Sequence, residues 1–253
     1  MSRGAATSDP RATDVAMQVL ADGGNAADAT VSAAFVLFVV EPQSCGVGGD
    51  AFTIASSGDG PPRGLDGAGA IPAALTSEQL AADGLDAVPA RGAGTATVPG
   101  AVSLLSTLLV REGSWSLADA TAPAIELAAG GFEVRPTLAA AAARAAAEIG
   151  DDPVLGPLYV PEGAPVVEGQ LVRNPALAEC LTTIASSGAD DLYTGGLAAR
   201  LVDVIAANGG YLSADDLAAH ATLDAALQSA GVAGRTVWEH PAPTQGPAVL
   251  EAL

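Results

Sequence analysis

The segment from Ala26 to Val40 constrains the fold more than any other part of the sequence, because it is apolar on nearly every side. Asn25 can cap a helix at its start, and Pro42 can stop that helix. A helix without a polar face belongs inside a protein core. The apolar run is shorter than the roughly 20 residues that a bilayer-spanning helix needs. The sequence therefore predicts a buried helix within a soluble globular protein.

The charge balance narrows the classes of partner. The chain has 29 acidic and 10 basic residues, and its formal net charge is −19 at pH 7. All the basic residues are arginines. Such an acidic surface repels phosphate, so we expect neither a nucleic-acid partner nor an anionic membrane surface. The first residues lack the apolar stretch of a signal peptide, which favours a cytoplasmic protein; a periplasmic or secreted location stays open if the N-terminus is incomplete.

Turn and capping signals divide the chain into many helices and a few strands. Pro10 opens the first helix after Ser8 or Asp9, and Gly23-Gly24 ends it. Later helices are predicted at 99–113, 116–130, 139–149, 174–188, 196–207 and from 213 and 246 onward. Strands are predicted at 51–55, 64–66, 95–98 and 234–239, the first two joined by the turn 56–63 into a hairpin. We expect an α/β or α+β protein and a single incomplete domain over residues 1–253, which ends within a helix.

The titratable residues give no strong site by themselves. Cys45 and Cys180 are too far apart in sequence to indicate a disulfide framework or a metal site, and the sequence predicts no metal and no cofactor. Cys45 beside a glycine-rich loop is either a nucleophile or a buried thiol. Asp215, Asp216 and His220 form either a small site or a solvated helix face.

The glycine-rich loop Gly46–Ala51 imitates a dinucleotide-binding pattern. That pattern follows a strand and opens a helix, whereas this loop follows a helix and opens a strand, so we reject a dinucleotide site. Glycines such as Gly48 and Gly49 instead permit close backbone packing. Asp50 is either a site residue or a turn residue.

Several motifs in order resemble the N-terminal part of the γ-glutamyltranspeptidase (γ-glutamyltransferase) family. Residues 12–29 resemble the family's opening helix pair joined by Gly-Gly-Asn-Ala. Residues 41–52 resemble its loop and strand of the pattern P-x-x-x-G-[IV]-G-G-x-x-F, and residues 64–73 its strand ending in Pro-Ala. The matching stretches that follow are residues 98–102, 192–195, 208–210, 215–217 and 241–246.

This resemblance implies an N-terminal-nucleophile (Ntn) hydrolase with a four-layer αββα sandwich, of which this chain is the helix-rich large-subunit part. It implies a role in glutathione metabolism and a precursor that cuts itself into two subunits. The small subunit's N-terminal threonine attacks the γ-glutamyl amide, with its own α-amine as base, and backbone N–H groups stabilise the oxyanion. The acyl group then passes to water or to an amino acid.

The sequence departs from the family pattern in two respects. It contains no residue that matches the threonine nucleophile, so we expect no catalytic residue here and no activity without a partner small subunit. The family arginine that holds the substrate's α-carboxylate corresponds to Ala68, or in some relatives to Ala70. Alanine cannot replace a bidentate arginine–carboxylate contact, and Arg63 or Arg91 is a candidate substitute.

Two hypotheses follow from the resemblance. In the first, the chain is the large-subunit portion of an amidohydrolase or acyltransferase that acts on a γ-glutamyl compound or another small amide. Its site would include the Gly48–Asp50 loop and the segment around Ala68 and Ala70. In the second, the chain is a truncated, non-catalytic relative, either a gene fragment or a scaffold.

Overall fold

The computed structural model describes residues 3–58 and 60–253. Its helices are α1 (Pro10–Ala21), α2 (Ala26–Val40), α3 (Ser77–Ala82), α4 (Ala101–Glu112), α5 (Leu117–Gly130), α6 (Pro136–Ile149), α7 (Leu155–Tyr159), α8 (Pro175–Ser187), α9 (Asp191–Thr194), α10 (Gly196–Ala207), α11 (Ala214–Ala218) and α12 (Gly246–Ala252). Its strands are β1 (Ala51–Ala55), β2 (Arg63–Gly67), β3 (Phe132–Glu133), β4 (Leu171–Val172), β5 (Leu223–Ala225), β6 (Gln228–Val232) and β7 (Arg235–Glu239).

The chain folds into two compact units. The first combines the residues up to Val47 with Leu109–Asp191, and the second combines Gly48–Leu108 with Leu192–Leu253. The expectation of a single domain over residues 1–253 stays a prediction. No helix in the described ranges combines the length and the apolar character needed to cross a membrane.

Helices α1, α2, α5 and α8 build the core of the first unit, in which α2 packs against α1 and α5, and α5 packs against α8. Asp9 caps α1, whose first residue is Pro10, and Asn25 caps α2 together with Asp28. Ten of the fifteen residues of α2 are buried, including Val31, Phe35, Val36 and Val39, whereas Ala26 and Thr30 are exposed. The predicted core position of this helix is confirmed.

A three-stranded antiparallel sheet of order β1-β2-β5 lies in the second unit. Phe52 pairs with Asp66, which in turn pairs with Leu223. Leu65 and Gly67 of β2 point to the opposite face, where Leu65 is buried and a Cβ on Gly67 would lie 2.8 Å from the Cβ of Leu104 in α4. Strands β6 and β7 form a separate hairpin in the same unit.

The mixed α/β class and most predicted elements are confirmed, including the β1–β2 hairpin and the helices that follow capping residues. Asp59, in the predicted turn of that hairpin, lies outside the described residues. The predicted strand Thr95–Val98 is wrong. A 3₁₀ turn occupies Ala93–Thr95, and Ala96 N–H still donates into that turn, to the Ala93 carbonyl. Val98 N–H donates to the Ala70 carbonyl, and Pro99, which follows, has no N–H to continue a ladder. Strands β3, β4, β5 and β6 were not predicted, because no local sequence pattern indicated them.

Candidate functional site

The loop Gly48–Asp50 leads into β1 and contacts the start of α4. The carbonyl oxygen of Gly49 accepts hydrogen bonds from the backbone N–H groups of Gly100 (2.9 Å) and Ala101 (2.8 Å). The first N–H groups of a helix have no partner within the helix, so this carbonyl satisfies donors that would otherwise be left unpaired. The glycine loop therefore fixes where α4 begins.

Two further glycines allow two backbone stretches to touch at this point. A Cβ on Gly69 would overlap the carbonyl oxygen of Val98, and a Cβ on Gly100 would overlap the carbonyl oxygen of Gly67. Neither glycine needs an unusual backbone angle, so the requirement is one of space. The segment after β2 thus lies directly against the segment that precedes α4.

Carboxylates hold residues 66–73, which run from the end of β2 into the connection after it. We call these residues the acyl-side segment, after the role proposed for them below. The Oδ1 atom of Asp66 accepts from Ala68 N–H at 2.8 Å. The Oδ1 atom of Asp50 accepts from Gly69 N–H at 2.9 Å, and the Oδ1 atom of Asp216 accepts from Ala73 N–H at 2.9 Å. These three bonds fix the segment at its beginning, middle and end.

Asp216 reaches this segment because it also starts helix α11. Its Oδ2 atom accepts from the backbone N–H of Ser213 (2.9 Å) and from the Ser213 hydroxyl (2.6 Å). Burial alone would raise the pKa of the Asp216 carboxyl, but the hydrogen bonds from Ser213 and Ala73 outweigh it and lower the pKa below its usual value. Asp216 is therefore ionised at neutral pH.

Two aromatic rings stack beside the start of α4. The rings of Tyr193 and His220 lie 5.2 Å apart at an angle of 15°. The Tyr193 hydroxyl donates to the Pro99 carbonyl (2.8 Å) and accepts from Ser103 N–H (3.0 Å), so it braces the first turn of α4. Burial lowers the pKa of His220, although the negative charge of Asp50 acts in the opposite direction. Within the described residues, the buried Nε2 of His220 has no hydrogen-bond partner.

The structure brings some of the sequence-predicted residues together and separates others. Gly48, Gly49 and Asp50 adjoin the acyl-side segment, where Ala68 is half-buried and Ala70 is exposed. Arg63 begins β2 and is exposed, five residues before Ala68. At a rise of about 3.3 Å per residue, some 17 Å of strand separate them. Arg91 is exposed in the connection between α3 and α4.

Cys45 and Asp215 are two further candidates from the sequence. Burial, followed by the charge of Glu41, raises the pKa of the Cys45 thiol to about 11, so little thiolate exists at neutral pH. Asp215 is exposed, as expected for a residue on a solvated helix face. Asp216 and His220 instead contact Ala73 and Tyr193, so the solvated-face interpretation does not fit them.

Sequence reasoning missed two contacts, that of Asp216 with Ala73 and that of His220 with Tyr193. The first joins residues 143 positions apart in sequence. The spacing Ser213 to Asp216 gave a capping signal, which located the start of α11 but not its contact with the acyl-side segment. No local pattern marks Tyr193 as the partner of His220.

Known proteins are similar to this chain over most of its length. Residues 12–253 match the family described as Gamma-glutamyltranspeptidase. The chain is 35% identical over 221 residues to the acylase ACY 1 proenzyme of Pseudomonas sp. strain SE83. This alignment covers 84% of the present chain and 40% of the acylase proenzyme. It is also 30% identical over 245 residues to the glutathione hydrolase proenzyme of Escherichia coli strain K12. That alignment covers 95% of the present chain and 42% of the hydrolase proenzyme.

A solved structure shares the fold. The γ-glutamyltranspeptidase from Pseudomonas nitroreducens complexed with L-DON superposes with a TM-score of 0.87 at 31% identity, over 97% of this chain and 72% of that chain. The predicted fold class is therefore confirmed. The chain spans about two fifths of the length of the two curated relatives named above.

Proposed function

The chain belongs to the γ-glutamyltranspeptidase family, and we propose that it is the large-subunit portion of an amide-cleaving hydrolase or acyltransferase. Two observations support this. The related acylase and glutathione hydrolase are proenzymes, and this chain corresponds to about two fifths of each. A second polypeptide stretch, led by the threonine that the family resemblance implies, would complete the enzyme.

The proposed reaction proceeds in two steps. The threonine hydroxyl loses its proton to the α-amine of the same residue, and its oxygen attacks the carbonyl carbon of the amide. The carbon–nitrogen bond breaks, the amine leaves with the proton, and the acyl group remains as an ester on the threonine. Water or an amine then attacks this ester, takes the acyl group and restores the hydroxyl.

The part of this chain in the reaction is to shape the acyl-binding side. The observation that carries this assignment is the close packing of the Gly48–Asp50 loop on the acyl-side segment, fixed by the bond from Gly69 to Asp50. A rigid backbone at this position would hold the acyl group at a constant distance from the threonine, as positioning of a substrate requires.

The residues at positions 68 and 70 favour a second candidate for the substrate. Both are alanines where the family pattern has an arginine, so the substrate is another small amide rather than a γ-glutamyl compound. The two candidates share the nucleophile and the reaction, and they differ in the acyl group that is recognised.

The experiment is co-expression of this chain with a Thr-led small-subunit polypeptide from the same genome. Purified complex is assayed against p-nitroanilides that carry γ-glutamyl, neutral aliphatic and amino-terminated acyl groups. We expect release of p-nitroaniline that needs both polypeptides. The matched control replaces the leading threonine by alanine and should abolish the release. An assembled complex that has the threonine and cleaves none of these amides would favour the non-catalytic relative.

A further inference from the structure

We propose that the acyl group bound at the acyl-side segment has no free carboxylate, and that it ends instead in a neutral or a positively charged group. This inference rests on the proposed function, because it assumes that the segment faces the acyl part of an amide. It concerns what the segment's own atoms can recognise.

Three backbone N–H groups of the segment are already used. Those of Ala68, Gly69 and Ala73 donate to Asp66, Asp50 and Asp216 at 2.8 to 2.9 Å. A substrate carboxylate could take these donors only by displacing an aspartate oxygen, which would leave that aspartate without its partner. An uncharged acyl chain has no need of them.

The charged side chains that bond to the segment all have the same sign. Three carboxylates bond to its backbone, and residues 64–77 contain no arginine, lysine or histidine. Two like charges at close range repel each other, and the repulsion grows when water is excluded. A substrate carboxylate would therefore enter an unfavourable potential, whereas an ammonium group would enter a favourable one.

The side chains of the segment offer apolar contact. Ala68 and Ala70 present methyl groups, and Ile71 beside them is 66% exposed. Such a surface suits an aliphatic chain, which gains free energy when it leaves water. The combination of methyl groups with a negative rim matches an aliphatic acyl chain that ends in a methyl or an amino group.

The test compares three five-carbon amides that differ at the end of the chain opposite the amide. The amides are glutaramate (carboxylate), pentanamide (methyl) and 5-aminopentanamide (ammonium). Dissociation constants are measured by calorimetry on the complex whose leading threonine is replaced by alanine, so that no turnover occurs. We expect pentanamide and 5-aminopentanamide to bind at least about tenfold more tightly than glutaramate. Equal or tighter binding of glutaramate, or no binding of any of the three, would overturn the inference.

Two variants of the acyl-side segment sharpen the comparison. The substitution Ala68→Arg should raise the affinity for glutaramate about tenfold or more and weaken the binding of 5-aminopentanamide. Ala140→Arg, at an exposed position of α6, adds the same charge elsewhere and should leave the relative affinities for the three amides unchanged. If Ala68→Arg does not fold, Asp66→Asn keeps an acceptor for Ala68 and should narrow the discrimination against glutaramate. An unchanged order in the folded segment variants would contradict the inference.

The binding and turnover assays separate the two proposals. Cleavage of γ-glutamyl p-nitroanilide together with tight binding of glutaramate would refute the carboxylate-free acyl group and leave the amidohydrolase intact. The expected binding order without any amide cleavage would refute the proposed function and leave the recognition of the ligand intact.

Discussion

The Oδ1 atom of Asp28 lies 2.7 Å from the backbone nitrogen of Ser114, and this hydrogen bond joins the start of α2 to the loop that precedes α5. The same carboxylate accepts from the Ser114 hydroxyl (2.8 Å), from Trp115 N–H (3.0 Å) and from Asn25 N–H (2.8 Å). Asp28 is completely buried. One ionised side chain therefore satisfies donors from two loops in the first unit.

Replacement of Asp28 by alanine should strongly destabilise the protein. The change leaves donors of Asn25, Ser114 and Trp115 without their acceptor at the buried Asp28, and each such loss costs about 1–3 kcal/mol. We expect the free energy of unfolding to fall by at least about 3 kcal/mol, measured by denaturant titration with circular dichroism. The control Asp14→Ala, at an exposed position of α1, should have a much smaller effect. Equal effects of the two substitutions would contradict the role of Asp28.

The contribution of Asp28 should depend on pH in a defined direction. Burial acts to raise the pKa of its carboxyl, but the hydrogen bonds from Asn25, Trp115 and Ser114 outweigh burial and lower it. A lowered pKa in the folded state means that the stabilisation is complete above the unfolded pKa, near 3.9, and is lost as the pH falls through the folded value. We therefore expect the stability gap between the parent and Asp28→Asn to shrink below about pH 4. A gap that stays constant down to pH about 2 would contradict this.

Substitution of Gly69 by alanine tests the close packing in the second unit. The added Cβ would overlap the Val98 carbonyl oxygen, which is backbone and cannot turn aside. We expect a loss of about 3 kcal/mol or more, because overpacking at a fixed backbone contact forces neighbouring segments apart. The matched control is Gly46→Ala, since a Cβ on Gly46 would have no atom within 4 Å. Thermal unfolding of both variants, with Gly69→Ala as stable as Gly46→Ala, would refute the packing argument.

Local signals in the sequence were sufficient for most helices but for little of the site. Asn25 and Ser116 start α2 and α5, and Gly188 ends α8, because caps and glycine stops act within one helical turn. The acyl-side segment depends instead on contacts between distant residues, such as that of Asp216 with Ala73. The predicted strand Thr95–Val98 was wrong for the same reason, because an extended segment becomes a strand only if a partner strand lies beside it.

Loss of the Tyr193 hydroxyl should loosen the start of α4. Tyr193→Phe keeps the ring that stacks on His220 but leaves the Pro99 carbonyl without its donor and Ser103 N–H without its acceptor. Two lost hydrogen bonds at a buried position give an expected destabilisation of about 1–3 kcal/mol. Tyr211→Phe, which removes an exposed bond to Asp83, is the control and should change the unfolding midpoint less. The opposite order would show that Tyr193 does not brace the helix.

The Cys45 thiol should react slowly with iodoacetamide at pH about 8. Burial first, and the charge of Glu41 second, raise its pKa to about 11, and only the thiolate is alkylated. Compared with a thiol of ordinary pKa near 8.5, we expect a rate roughly a hundredfold lower, which rises with pH toward 11. Mass spectrometry of the Cys180→Ser variant isolates this residue, and Glu41→Gln should increase the rate by removing the smaller of the two causes. Alkylation of Cys45 at the rate of a free thiol at pH about 8 would show that the loop before β1 leaves the sulfur accessible and solvated.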